Sequence, residues 1–293
     1  MNGNEICALL GPEGEHDMSD VFRENLLKNK VAFFAGASSG INLGVAQRFA
    51  QEGAKVVLIS RSHDKIQDAV KSITDEGGTA FGMACDVRDF ESVDGALKKA
   101  KEEYGEIDFV LSGAAGNFVA PALGMSSNGF KVVVDIDLIG TFNVLRASFP
   151  YLKRPGASLV AITAPQAVQP AMFQAHVCAA KAGINMLVKC LGLEWGPGGV
   201  RVNAVSPGPI ADTEGMRRLA PTPEAEEAII SSIALREYGT KTDIAETCMW
   251  LSSEASRYVT GTIIDCDGGT TLGSARGDAI GELGDQIPDF TAR

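Results

Sequence analysis

The segment running from Thr163-Ala164-Pro165-Gln166 to His176-Val177-Cys178-Ala179-Ala180-Lys181 has the setting of an active site, at the end of a predicted strand and the start of the next helix. Its one obvious proton-handling residue is Lys181, whose ammonium can hold a polar group in place or stabilise developing negative charge. A second stretch, Ala35-Gly36-Ala37-Ser38-Ser39-Gly40-Ile41-Asn42-Leu43-Gly44, reads as a small-residue turn opening into a helix. Glycines let a backbone approach a pyrophosphate, and the start of a helix offers unpaired N–H groups and the positive end of its dipole. A plain structural turn is the alternative, but the placement at the first strand-to-helix junction of an α/β chain favours a dinucleotide. A third stretch, Leu58-Ile59-Ser60-Arg61-Ser62, ends the second predicted strand. An acid at position 60 would accept both ribose hydroxyls and select NAD; Ser60 followed by Arg61 suits a 2′-phosphate instead, so NADP(H) is expected, with a solvated charge as the alternative for Arg61.

The elements that must position these residues follow a regular alternation from Lys30 onward. Strands are expected over Val31–Ala35, Lys55–Ser60, Thr79–Ala84, Phe109–Ser112, Ser158–Thr163, Arg201–Ser206 and Thr262–Cys266. Helices are expected near 41–52, 63–76, 90–104, 129–152, 173–195 and 242–253. Strands alternating with helices predict a single α/β domain, a doubly wound Rossmann-type fold whose seven-stranded parallel sheet carries helices on both faces. The domain is expected over residues 30–272, with a mobile lid at about 216–235, an N-terminal arm over 1–29 that includes a short helix at Ser19–Leu27, and a C-terminal tail over 273–293. The helical stretches 129–152 and 173–195 carry few charges on any face, which requires cover on both sides. A homo-oligomer, dimer or tetramer, built through these two helices is the expected cover.

Composition narrows the function further. With 45% hydrophobic and 22% charged residues the chain reads as one soluble globular unit. A net charge of -11 argues against nucleic acid and anionic membrane as partners. The six cysteines show no metal-ligand spacing and lie mostly in apolar runs, so reduced packed thiols and no metal site are expected. There is no run of about 18 apolar residues, no signal-peptide pattern at Met1-Asn2-Gly3-Asn4-Glu5 and no SKL-type peroxisomal address at Asp289-Phe290-Thr291-Ala292-Arg293. A cytoplasmic, bacterial setting is the expectation.

Further motifs carry a family resemblance. Gly36 and Gly40 match two glycines of a TGxxxGxG turn in which Asn42 replaces the third, Cys85-Asp86-Val87-Arg88 matches an adenine-holding D-V pair, and Gly113-Ala114-Ala115-Gly116-Asn117-Phe118 stands where an NAG turn is found. Ser206-Pro207-Gly208-Pro209-Ile210-Ala211-Asp212-Thr213 matches a PG turn. Together they resemble the short-chain dehydrogenase/reductase family over roughly residues 30–270. The resemblance implies that the cofactor meets Gly36, Ser38, Ser39, Gly40, Ile41, Ser60, Arg61, Asp86, Val87, Ala114, Ala115, Gly116, Lys181, Pro207, Gly208, Ile210 and Thr213.

The family usually works with Asn, Ser, Tyr and Lys. Here the Lys is Lys181, but the Tyr position falls on Val177, the Ser position on Ala164 and the Asn position on Asp137. Valine cannot move a proton. The strings Ala114–Phe118, Asp135–Asn143, Glu194–Pro197 and Pro207–Gly215 resemble the 2,4-dienoyl-CoA reductase branch, especially its peroxisomal type, which lacks that tyrosine and pairs an Asp with the Lys. Hydride addition to a conjugated thioester leaves a delocalised dienolate, which chiefly needs its oxygen stabilised and a slower protonation at carbon. The expectation is therefore an NADPH-dependent reductase of a conjugated acyl thioester, with Lys181 holding the nicotinamide ribose and Asp137 orienting a water that delivers the proton. A structural role for Asp137 is its alternative. Asn117, Thr163 and Gln166 are candidate donors to the thioester oxygen. By resemblance Arg61, Arg88, Phe118, Ser126, Ser127, Asn128 and Arg218 line the entrance for an acyl-CoA. A carbonyl or enone reductase with a relocated proton donor, or a nucleotide-binding pseudoenzyme, are the competing readings.

Overall fold

The computed structural model describes residues 26–273. Seven strands form one parallel sheet in the order β3-β2-β1-β4-β5-β6-β7: β1 Val31–Ala35, β2 Lys55–Ser60, β3 Thr79–Ala84, β4 Phe109–Ser112, β5 Ser158–Ile162, β6 Arg201–Pro207 and β7 Ile263–Cys266. Side chains alternate across the sheet. Phe33, Val57 and Val110 therefore join one buried layer with Leu97, Val144 and Ile184, while Phe34, Leu58 and Leu111 join the opposite layer with Phe49, Ile66 and Ile244. Strands buried on both faces read as the continuous apolar runs seen in the sequence.

The first layer is built from α3 (Phe90–Tyr104), α5 (Gly140–Ser148) and α6 (Ala175–Trp195), the second from α1 (Gly40–Gln51), α2 (His63–Thr74) and α9 (Lys241–Ser252). Local signals set their starts: Asp89 caps α3 by accepting from Glu91 and Ser92 N–H, and Thr240 and Asp243 form a reciprocal capping box at α9. No helix among the described residues is long and apolar enough to cross a membrane.

One expectation is corrected. The single helix expected over 129–152 is three pieces: α4 (Ser127–Val134), a wider π-type turn at Asp135–Ile139, and α5, followed by a short 3-10 turn at Phe149–Tyr151. Apolar periodicity runs through all of them, so the sequence pattern hides the change of pitch. The segment expected as a lid contains two helices, α7 (Glu214–Leu219) and α8 (Pro223–Ser232), capped by Thr213 and Thr222. The helix expected at Ser19–Leu27 lies outside the described residues apart from its last two, as do the rest of the arm before Leu26 and the tail after Gly273.

Strand order reverses between β1 and β4, and the carboxyl ends of strands at such a switch point frame the ligand crevice of an open α/β sheet. The glycine turn after β1, Arg61 after β2, Asp86 after β3 and the 113–118 loop after β4 all open there.

Candidate active site

At the crevice, a cleft of about 330 Å³ is bounded by the glycine turn, Ser60-Arg61-Ser62, Lys65, Asp86-Val87 and Ala114-Ala115. Gly36 takes φ +77, and a Cβ there would lie 2.6 Å from the Ala114 backbone. Gly208 is as tightly held, since its Cβ would stand 2.5 Å from Asp267 Cα. Asn42 does what its replacement of a glycine left open: its Nδ2 donates to Gly36 O at 3.1 Å and to Gly113 O at 2.8 Å, tying the first turn to the loop after β4. Gly113 has no room for a side chain because the Asn42 carboxamide would meet its Cβ at 2.4 Å.

These features fit a dinucleotide. The Ser60 hydroxyl is buried without a protein partner at the ribose end of the cleft, and exposed Arg61 and Lys65 line the same wall with no acid at position 60. Asp86 is held by Arg88 at 2.5 Å, and that guanidinium holds its carboxyl below the usual carboxylate range. Asn143 donates to Val87 O at 2.9 Å, and Gly140 lets α5 approach Val87, whose Cγ2 lies 2.5 Å from where a Cβ would stand.

Deeper in the crevice the π-type turn brings Asp137 to Lys181. Both are buried, with Lys181 Nζ 3.4 Å from Asp137 Oδ2 and donating to Ile162 O at 3.1 Å. Gly116 N–H donates to Asp137 Oδ1 at 2.7 Å. Oδ2 is within ion-pair range of the ammonium but has no aligned hydrogen bond. Burial pushes the Asp137 carboxyl above the usual carboxylate range, against the opposing pull of Lys181 and the Gly116 N–H. A carboxyl so placed can keep its proton and deliver it.

Several residues expected to meet the substrate or the cofactor are already engaged. Thr163 is buried, and its hydroxyl donates to Lys181 O at 3.4 Å. Gln166 Nε2 donates to Gln174 Oε1 at 3.3 Å. Thr213 donates to Ile210 O at 2.9 Å while capping α7. Arg88 is committed to Asp86, and Arg218 pairs with Glu214 one turn away on α7. Asn117 and Phe118 are exposed on the loop after β4. Ser126 and Ser127, with Met125, Phe130 and Ala175, border an open hollow of about 430 Å³, and Asn128 is exposed on the same turn. One residue was passed over in the sequence: His176, wholly buried in the first turn of α6 with its ring against Phe118. A histidine in an apolar helix beside Val177 was the available signal.

Comparison with known proteins agrees with this architecture. Residues 36–271 match a family model described as enoyl-(acyl carrier protein) reductase. A solved short chain dehydrogenase from Bacillus anthracis superposes with a TM-score of 0.77 at 35% identity, covering 83% of this chain and 97% of its own. The chain belongs to the short-chain dehydrogenase/reductase family. Within this family of oxidoreductases the peroxisomal 2,4-dienoyl-CoA reductase of Saccharomyces cerevisiae is 40% identical over 261 residues, 88% of this chain and 89% of that one. Its counterpart in Danio rerio is 38% identical over 257 residues, 87% and 86% of the two chains. Both bear names that specify a (3E)-enoyl-CoA product. Membership in the short-chain dehydrogenase/reductase family implies a nicotinamide cofactor.

Proposed function

We propose that this reductase uses NADPH to reduce a 2,4-dienoyl thioester of coenzyme A to a 3-enoyl thioester. The observation that carries the reading is the replacement of a tyrosine proton donor by a buried carboxyl: Val177 stands four residues before Lys181, and Asp137 faces that lysine from another element. The two similar reductases named above support the substrate class.

When bound, the reduced nicotinamide supplies a hydride to the far end of the diene, leaving a dienolate on the substrate. Lys181, fixed by Ile162 O, supplies positive potential to that charge and to the ribose. Asp137, whose carboxyl burial pushes above the usual range, passes a proton through a water to the α carbon. Ser60, Arg61 and Lys65 favour a 2′-phosphate over a free ribose hydroxyl. Arg218 on α7 would meet the CoA phosphates once it leaves Glu214, with α7 and α8 acting as the lid.

The test is NADPH oxidation with a dienoyl-CoA. Asp137→Ala is expected to lower kcat by roughly a hundredfold, the scale of general-acid catalysis, with little change in KM. Unchanged turnover overturns the role. Arg61→Ala is expected to raise KM for NADPH about tenfold while leaving NADH unaffected, as loss of one charge-assisted phosphate contact requires.

A further inference from the structure

His176 is wholly buried, and neither Nδ1 nor Nε2 has a protein partner. Its ring lies 4.4 Å from that of Phe118 at an interplanar angle of 47°. A neutral imidazole carries one donor and one acceptor, and leaving such a group unmatched in the interior costs about 1–3 kcal/mol. Packing against Phe118 alone would be served by Leu or Phe, so the imidazole at this position asks for a polar use. The buried Oδ2 of Asp137 is likewise without an aligned partner, on the π-type turn that packs against α6. The loop after β4 touches both groups: its Gly116 N–H donates to Asp137 Oδ1 at 2.7 Å, and two residues on Phe118 packs on the His176 ring. Lys181, five residues after His176 on the same helix, has its ammonium directed to Ile162 O and Asp137. The unsatisfied polar atoms of Asp137 and His176 thus belong to the same packed junction, between the loop carrying Phe118 and the first turn of α6.

We propose that His176 is a positioning residue for protonation: its ring and Asp137 Oδ2 share one water, and the ring fixes where that water's proton points. The inference rests on the reduction of a dienoyl thioester set out above. Once the substrate carries the dienolate, an O–H bond of the water breaks as the C–H bond forms at the α carbon. The water recovers a proton from Asp137, and the resulting carboxylate is held by Lys181 and His176 until a solvent proton replaces the one used. The net change is one hydride and one proton added to the diene, with NADPH oxidised to NADP⁺.

His176→Phe keeps the ring volume and the contact with Phe118 but removes both nitrogens, whereas His176→Gln keeps a donor and an acceptor. With NADPH and a 2,4-dienoyl-CoA, the Phe variant is expected to lose roughly 10- to 100-fold in kcat, the range for a mispositioned proton donor, with KM and the NADPH Kd within about twofold of the parent. Its solvent deuterium isotope effect on kcat rises, and the Gln variant recovers about tenfold of the lost rate. A readout independent of turnover uses cofactor-free protein labelled with ¹⁵N-histidine. The His176 ring signals, assigned by their loss in His176→Phe, are expected to shift in Asp137→Asn. Should the Phe variant fail to fold, the Gln variant and the spectra of Asp137→Asn carry the test. Phe-variant turnover within about twofold of the parent overturns the inference, as do ring signals indifferent to Asp137→Asn, or losses in melting temperature, KM and kcat together that Gln does not repair. If the unsubstituted protein fails to oxidise NADPH with a dienoyl-CoA, the substrate reading falls and takes the inference with it; normal turnover with an equally active Phe variant removes the inference alone.

Discussion

Asp137 is a carboxyl whose fold sets it against its own ionisation. Burial is the largest influence and raises its titration, while Lys181 and the Gly116 N–H only partly offset that. In the unfolded chain the same group titrates in the ordinary carboxylate range. Between that range and its raised folded value the native state holds a proton that the unfolded state has lost, so this group's contribution to stability is complete at low pH and declines as pH rises through the window. Asp137→Asn removes the titration. Denaturant midpoints measured across the pH series should fall with pH in the parent relative to the Asn variant; parallel curves would contradict the raised titration. Lys181 was legible from spacing, and Asp137 from its place three residues before Gly140. Burial was not legible, so the enclosure of Thr163 and of His176 could not be read from the sequence.

At the scale of elements, the crevice depends on how the turn after β1 is tied to the loop after β4. Asn42 supplies that tie through two hydrogen bonds and fills the space that a side chain at Gly113 would need. Asn42→Ala loses both bonds and leaves two carbonyls unmatched, at a cost of about 1–3 kcal/mol, so NADPH Kd should rise about tenfold with a lower melting temperature. Gly113→Ala drives a methyl into the carboxamide and should be worse. The double variant Asn42→Gly with Gly113→Ala relieves that clash, so its loss should be smaller than the sum of the single losses. Additive losses, read by thermal unfolding and cofactor titration, would show that the two positions do not touch. The inner strands of the sheet were legible to within a residue or so because strands buried on both faces announce themselves as apolar runs. The π-type turn at Asp135–Ile139 was not, because its residues keep the apolar spacing of the helices on either side.

The whole molecule leaves an apolar surface on the helices that hold the site. Ile139 and Phe142 are 43% and 39% exposed on the turn and α5, and Met186 and Leu193 are 59% and 81% exposed on α6. Large exposed apolar side chains grouped on neighbouring helices mark association surfaces, and a second copy of the chain can cover them through a two-fold axis. The scarcity of charge on both helices led to the same expectation from the sequence. Phe142→Glu combined with Met186→Glu is expected to convert an oligomer into monomers in size-exclusion chromatography with light scattering; a parent that is already monomeric, or a variant that stays assembled, would rule the surface out. The consequence reaches the site, because the turn carrying Asp137 continues into α5 while His176 and Lys181 ride on α6. Losing the cover should loosen the contact between these elements, so the monomeric variant should lose kcat more than NADPH affinity, whose proposed determinants are at the ends of β1, β2 and β3. Equal losses in both would mean that the association surface supports the fold as a whole and not the 3.4 Å approach of Lys181 to Asp137.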